Sequence, residues 1–309
     1  MIIVTGGAGF IGSNLIRKIN SFGETNIIAV DNIKKNKKNI KHIKFKDYFD
    51  KDEFISKIEN NKIQSDIKCI IHLGACSNTT ETNWDYLKYN NIIYSKLLHK
   101  FSLSKNSKFL YASSAATYGN QSGYKITKKL NYKPLNLYGK SKLDLDKFFF
   151  NKNEYKTTGL RYFNVYGDFE KHKKNMRSPV SKFYDQLKKE GKINLFEFKK
   201  KNEPYRDFIY VKDAIDMTLY LMNKKKYGLY NIGTGKPETF IKIAKILINK
   251  INKGKIELIK FPPHLKNKYQ FFTKANISEI RKLGYKKKTF DIEDGINFYI
   301  QNLQKLKAK

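Results

Sequence analysis

The sequence predicts an α/β fold: a doubly wound parallel sheet with a smaller C-terminal portion. Two observations carry this. Short apolar runs alternate with helical periodicity over residues 1–162, the rhythm of βαβ units. The first run, Ile2-Ile3-Val4, leads directly into Gly6-Gly7-Ala8-Gly9 and a helical stretch, the strand–loop–helix order of a Rossmann-type sheet.

Residues 1–5 read as a buried strand and Phe10 to Phe22 as a helix. Asn26 to Val30 is a second strand, stopping at Asp31, and residues 32–41 form a lysine-rich loop. Asp52 to Asn60 has helical character, and Ile67 to Leu73 is a buried strand ending at Gly74. A long helix is expected over 83–103, and a strand over Lys108 to Ala112 leads into Ser113-Ser114. Pro134 precedes a helix running through Tyr138 and Lys142 to Phe150, and Thr157 to Tyr162 is strand-like. After Asn164 the alternation breaks, and 168–205 is polar and charged. Asp207 to Val211 and Leu229 to Ile232 read as strands around a helix at 212–223, and Pro237 as the start of another helix. The expected division is a dinucleotide-binding domain over 1–166, with 205–235 returning to it, and a mainly substrate-binding portion over 167–309.

Composition narrows the function. With 40% hydrophobic and 14% aromatic residues, a packed core is expected rather than disorder. No apolar run reaches the ~18 residues that span a bilayer, and no secretory leader is visible at the N-terminus. Two cysteines, Cys69 and Cys76, in no C-x-x-C pair, point to a reducing cytoplasm without disulfides or structural zinc. The five histidines show no metal-ligand spacing, so no metal is expected. The net charge of +34 is spread along the chain, mostly on Lys, with only five Arg. Nucleic-acid readers favour the forked guanidinium. The excess therefore reads as solvated surface that also attracts an anionic substrate, not as a nucleic-acid site.

Two motifs carry the chemistry. Gly6, Gly9 and Gly12 give G-x-x-G-x-x-G: a tight turn, a close approach to pyrophosphate, and close packing of helix on strand. The helix N-terminus adds free N–H groups and a positive dipole end. Asp31, ending the next strand, suits the ribose 2′-OH of NAD. The lysines after it (Lys34, Lys35, Lys37, Lys38, and Lys51 further on) suit the 2′-phosphate of NADP, and the residues alone leave the choice open. The second motif is Tyr138-Gly139-Lys140-Ser141-Lys142. Residues i and i+4 share a helix face, so the Lys142 ammonium is expected to lower the Tyr138 phenol and make it a base for an alcohol. Upstream, Ser113 to Gly119 reads Ser-Ser-x-x-x-Tyr-Gly and places a Ser114 hydroxyl at a strand end.

These blocks, in this order, resemble the extended short-chain dehydrogenase/reductases. Within them the chain is similar to the ADP-L-glycero-D-manno-heptose 6-epimerase family over almost its whole length. The resemblance rests on MIIVTGGAGFIGSN at 1–14, HLGACSNTTE at 72–81, FLYASSAATYG at 109–119 and KPLNLYGKSK at 133–142. It continues through RYFNVYG at 161–167, HKKNM at 172–176, YRDFIYV at 205–211, NIGTG at 231–235 and KYQFFTKA at 268–275.

The resemblance implies that C6″ of the sugar of ADP-D-glycero-D-manno-heptose is transiently oxidised and re-reduced from the opposite face, with bound NADP (NAD remaining open). It implies a base for each face, Tyr138 and Lys173, with Lys174 beside the latter in a position usually held by a small residue. Ser114 and Lys142 assist. Cofactor positions carried over are Phe10, Ile11, Asp31, Asn32, Lys38, Lys51, Leu73, Gly74, Ala75, Cys76, Ser77, Asn90, Lys142, Val165 and Lys173. Substrate positions are Asn164, Asn175, Lys182, Phe196, Glu197, Phe198, Lys199, Arg206 and Tyr269. Lys182 replaces a histidine of the family, and 199–204 is lengthened. The resemblance also implies a cytoplasmic homo-oligomer whose product feeds lipopolysaccharide core assembly. Rival readings are another extended nucleotide-sugar epimerase or dehydratase, or a non-catalytic NAD(P)-binding module. A dehydratase is disfavoured because Ser114-Ala115-Ala116-Thr117 lacks the Asp-Glu expected beside the threonine.

Overall fold

The computed structural model describes residues 1–32, 38–121, 124–127, 129–150, 156–198, 203–263 and 269–307. Strands β1 (Ile2–Thr5), β2 (Ile27–Val30), β3 (Asp47–Phe49), β4 (Cys69–His72), β5 (Lys108–Ser114), β6 (Thr157–Tyr162) and β10 (Gly228–Ile232) form one sheet ordered β3-β2-β1-β4-β5-β6-β10. Every pairing in it is parallel. The chain order reverses between β1 and β4, which opens the crevice where doubly wound sheets bind ligands. β1, β2 and β4 are buried on both faces, so they read as unbroken apolar runs.

Helices cover both faces. α1 (Phe10–Asn20) packs on the same core as β1 through Leu15, Ile16 and Ile19. On the other side lie α2 (Lys51–Glu59), α4 (Tyr94–Ser104) and α5 (Leu137–Phe150), meeting Ile3, Ile70 and Phe109. The helix expected over 83–103 is interrupted: α3 (Trp84–Leu87) runs into a π-helical segment, Lys88–Ile93, before α4. A widened turn of this kind leaves no trace in apolar periodicity.

The C-terminal half supplies the second wall. β7 (Asn164–Tyr166), β9 (Tyr205–Tyr210) and β11 (Pro237–Thr239) form a small sheet in the order β11-β9-β7, and β8 (Lys192–Phe196) pairs with β12 (Lys255–Ile259). Thus Pro237 does not begin a helix, as the sequence suggested. It begins β11, and α8 (Phe240–Ile251) starts after the Thr239 N-cap, whose hydroxyl accepts from the Lys242 N–H. The polar stretch at 168–205 contains α6 (Pro179–Glu190), capped by the Ser178 hydroxyl, and β8. α7 (Val211–Asn223), α9 (Ser278–Lys282) and α10 (Ile292–Lys307) complete the fold. No helix among the described residues is long and apolar enough to cross a membrane.

Candidate functional site

A cavity of about 940 Å³ opens at the C-terminal edges of β4, β5 and β6 and extends to α6, β8, β9 and β12. Its size suits a ligand larger than a simple metabolite.

The glycine loop forms one side. Gly6 has φ +69°, and a Cβ there would lie 2.7 Å from the Gly74 nitrogen; a Cβ on Gly12 would lie 2.1 Å from the Gly6 carbonyl oxygen. Gly9 caps α1 without any side-chain hydrogen bond, which leaves the first-turn N–H groups for an anion. Asp31 closes the loop, accepting from the Ala8 N–H at 2.9 Å and from the Asn32 N–H at 2.7 Å. Burial raises its carboxyl, and these bonds oppose the rise. A carboxylate retains further acceptor sites, so a ribose hydroxyl still fits. The loop thus has the bare backbone and acidic strand end that a dinucleotide requires. Lys38 is exposed, and Lys51 pairs with Asp52 at 2.8 Å; neither lines the cavity. Lys34, Lys35 and Lys37 lie outside the described residues.

Leu73, Ala75 and Ser77 line the next stretch of wall, with Phe10, Ile11 and Val165 nearby. Gly74 donates its N–H to the Thr5 hydroxyl at 3.1 Å. Asn90 does not reach the cavity; its amide donates to the Tyr86 carbonyl at 2.9 Å. Its neighbour Asn91, which sequence reasoning missed, holds the Cys76 backbone. The Asn91 Oδ1 accepts from the Cys76 N–H at 2.8 Å, and its Nδ2 donates to the Cys76 carbonyl at 3.1 Å and to Ser141 Oγ at 2.9 Å. Cys76 itself does not line the cavity, and burial pushes its thiol up, against any nucleophilic role.

Ser114, Tyr138 and Lys142 all face the cavity. The electrostatic expectation for this group needs correction. Burial raises the Tyr138 phenol; the hydrogen bond with Ser114 partly offsets this. Lys142 is not what lowers it. Its Nζ donates to the Ala112 carbonyl at 2.9 Å, and burial brings its own pKa down to about 8. A position one turn away does not ensure contact once a strand carbonyl competes for the ammonium. Beneath the pair, Asp146 accepts from Tyr111 Oη at 3.0 Å, Ser113 Oγ at 2.8 Å and Arg161 Nε at 2.8 Å. Asp146 and Arg161 are fully buried. This paired and bonded couple anchors the helix to the sheet.

Opposite the glycine loop, a 3-10 turn over Lys171–Met176 brings in Lys173. Its ammonium lies 5.6 Å from the Phe10 ring centroid, and burial lowers its pKa, with Glu170 opposing. Glu170 fixes the turn by accepting from Ser178 Oγ at 2.6 Å and the Gly167 N–H at 3.2 Å. Lys174 is exposed, does not line the cavity and has φ +48°. That backbone conformation favours glycine.

Asn164, Asn175, Lys182, Phe196, Phe198, Arg206 and Tyr269 line the remaining wall; exposed Glu197 does not, and Lys199 lies outside the described residues. Arg206 is 6% exposed, lies 5.1 Å above the Tyr269 ring and, among the described residues, has no carboxylate partner. The anticipated alternative, an ion pair with Asp207, does not form: Asp207 faces away, accepting from Thr234, Gly235 and Ala275. Its Nη1 donates to the Tyr205 carbonyl at 3.1 Å; a buried guanidinium at a cavity wall with no carboxylate partner among the described residues calls for an anion. Arg177, Gln186 and Asn194 also line the cavity. Nothing in their local sequence singled them out, since α6 and β8 were not expected. Among the described residues no cluster of metal-ligating side chains occurs.

The NAD dependent epimerase/dehydratase family matches residues 2–233. The ADP-L-glycero-D-manno-heptose-6-epimerase of Alkalilimnicola ehrlichii is 41% identical, covering 97% of this chain and 96% of the relative. The crystal structure of the Helicobacter pylori enzyme of the same name superposes with TM-score 0.85 at 29% identity, covering 98% of this chain and 96% of that one. A Bacillus cereus UDP-glucuronic acid 4-epimerase, in complex with UDP-glucuronic acid and NAD, gives TM-score 0.80 at 25% identity over 99% of both chains.

Proposed function

The chain belongs to the NAD dependent epimerase/dehydratase family and is an epimerase of the heptose-6 type; from that premise we propose how its own residues invert C6″ of ADP-D-glycero-D-manno-heptose. The observation that carries the reading is that two titratable side chains from unrelated parts of the chain, Tyr138 on α5 and Lys173 on the 3-10 turn, line the same cavity as Arg206. An epimerase that oxidises and re-reduces one carbon needs a proton acceptor and donor for each face.

Gly6 and Gly12 hold the loop open for the pyrophosphate of NADP, or of NAD, and Asp31 stands at the adenosine ribose. The bound nucleotide supplies a two-electron acceptor and donor at the reacting carbon. Tyr138 takes the hydroxyl proton of one epimer, with Ser114 holding the same oxygen. Lys173, its pKa lowered by burial, exchanges the proton of the other. Arg206 forks the diphosphate, and Lys182 and Asn175 flank it. Residues 1–166, with 205–235 returning to them, make up the cofactor portion, and 167–309 mainly the substrate portion. We place the enzyme in the cytoplasm as a homo-oligomer that feeds lipopolysaccharide core assembly.

Incubation with ADP-D-glycero-D-manno-heptose and chromatographic resolution of the C6″ epimers tests the reading. Tyr138→Phe and Lys173→Met should each block proton transfer on one face. Near-full epimerisation by both variants would overturn the two-base assignment.

A further inference from the structure

Two buried side-chain oxygens on the cavity wall have no hydrogen-bond partner among the described residues: Asn194 Oδ1 and Glu203 Oε1. The other partnerless buried oxygens among the described residues, on Tyr48, Asp168, Asp213 and Tyr285, lie outside this wall. An unmet buried acceptor is costly and needs a reason. The Asn194 backbone N–H donates to Oε1 of Gln186, a neighbouring lining residue on α6, at 3.3 Å. Glu203 is chemically out of character. It is the one acidic residue among the described lining, which otherwise carries Lys142, Lys173, Arg177, Lys182 and Arg206. A carboxylate there cannot serve the diphosphate. It must face a donor.

The surrounding wall is aromatic. Phe196 and Phe198 come within 5.3 Å and 5.1 Å, centroid to centroid, of Phe261, and Phe198 lies 6.0 Å from Tyr269. Flat apolar faces beside unmet acceptors suit a planar heterocycle that bears N–H donors. Adenine carries an exocyclic amino group with two protons. Uracil and hypoxanthine present carbonyl oxygens at the corresponding edge, which the Glu203 carboxylate repels.

We propose that Asn194 and Glu203 read the exocyclic amino group of the substrate's nucleobase, so that the cavity takes an adenine nucleotide and turns away uracil and hypoxanthine. This rests on the nucleotide-sugar reading of the site and adds the residues that select the base. Neither follows from the glycine loop or the Tyr-Lys pair.

The test is a calorimetric titration of the protein saturated with its pyridine nucleotide, so that the probe cannot occupy the dinucleotide site. The probes are ADP, IDP and UDP. ADP should bind about 10- to 100-fold more tightly than IDP, the range expected for leaving buried acceptors unmet. Asn194→Ala and Glu203→Gln, each checked for an unchanged unfolding temperature, should narrow that ratio, and Glu203→Gln should improve UDP binding. Equal binding of ADP and IDP by the wild type, or an undiminished ratio in both variants, overturns the proposal. Turnover is not involved. If ADP prevails while ADP-heptose is not epimerised, base selection stands and the epimerase reading falls. If ADP-heptose is epimerised while ADP and IDP bind equally, the epimerase reading stands and base selection by these two residues falls.

Discussion

Arg206 and Asp207 are chain neighbours on β9 that serve opposite faces of the strand: the guanidinium lines the cavity without an acidic partner among the described residues, and the carboxylate locks Thr234, Gly235 and Ala275 with four hydrogen bonds. Their substitutions should therefore separate cleanly. Arg206→Met should weaken ADP binding to the cofactor-loaded protein by about 10- to 100-fold, and Arg206→Lys should recover little of it. Neither should lower the unfolding temperature by much, because the buried charge has no carboxylate partner among the described residues and only the Tyr205 carbonyl and Tyr269 contacts are lost. Asp207→Ala should instead destabilise the fold by about 2 kcal/mol or more, leaving buried donors unmet. Titration and thermal unfolding check both; an equal loss of stability in the two would contradict the division.

Lys142 should leave a signature in the pH dependence of stability. Its folded pKa is about 8, against 10.5 ordinarily, because of burial. Below about 8 both states are protonated, and the full cost of burying the ammonium is present. Between 8 and 10.5 the folded state releases its proton first, so the unfolded state binds more protons and stability rises with pH. Relative to Lys142→Met, the wild type should gain about 3 kcal/mol across that window. Urea unfolding of the two proteins from pH 7 to pH 10.5 checks this; parallel curves would refute it.

Gly12 admits no side chain. The nearest atom to an added Cβ is the Gly6 backbone oxygen, at 2.1 Å, which no rotamer change relieves. Gly12→Ala should displace the glycine loop, costing about 1–3 kcal/mol of stability and most of the affinity for pyridine nucleotide. Equilibrium dialysis against NADP and NAD reads the second effect, and unaltered binding would count against the loop as the cofactor cradle.

Lys174 sits at φ +48° and ψ −116° with its side chain outside the cavity lining. Lys174→Gly should stabilise the protein by about 1 kcal/mol by removing a strained left-handed residue, while turnover is retained. A loss of turnover comparable to that of Lys173→Met would mean that the second base had been assigned one residue too early.

Much of the architecture was legible because its signals are local. The strand–glycine loop–helix unit depends on backbone sterics within a dozen residues of Gly6, and strands buried on both faces betray themselves as apolar runs. The Tyr138–Lys142 spacing and the Ser114 strand end were likewise readable. β3, β8 and α6 were not: β3 and β8 are short, with β3 only half-buried, and α6 lies in a stretch whose overall polarity masked a helical apolar stripe, Val180, Phe183, Tyr184 and Leu187, that was there to be read. Asn91 escaped because the π-helical segment that holds it has no sequence period of its own.

The chain's order of residues, by itself, determined the fold class, the dinucleotide loop, the identity of the Tyr-Lys pair and, through resemblance, the family. Tertiary structure alone decided which charges meet. It sent the Lys142 ammonium to the Ala112 carbonyl rather than the Tyr138 phenol, presented Lys173 and not Lys174, and left Arg206 without a carboxylate among the described residues. The physical reason is range. Backbone conformation and apolar periodicity are settled within a few residues, whereas burial, pKa and partnership depend on groups brought together from strands and turns far apart in sequence.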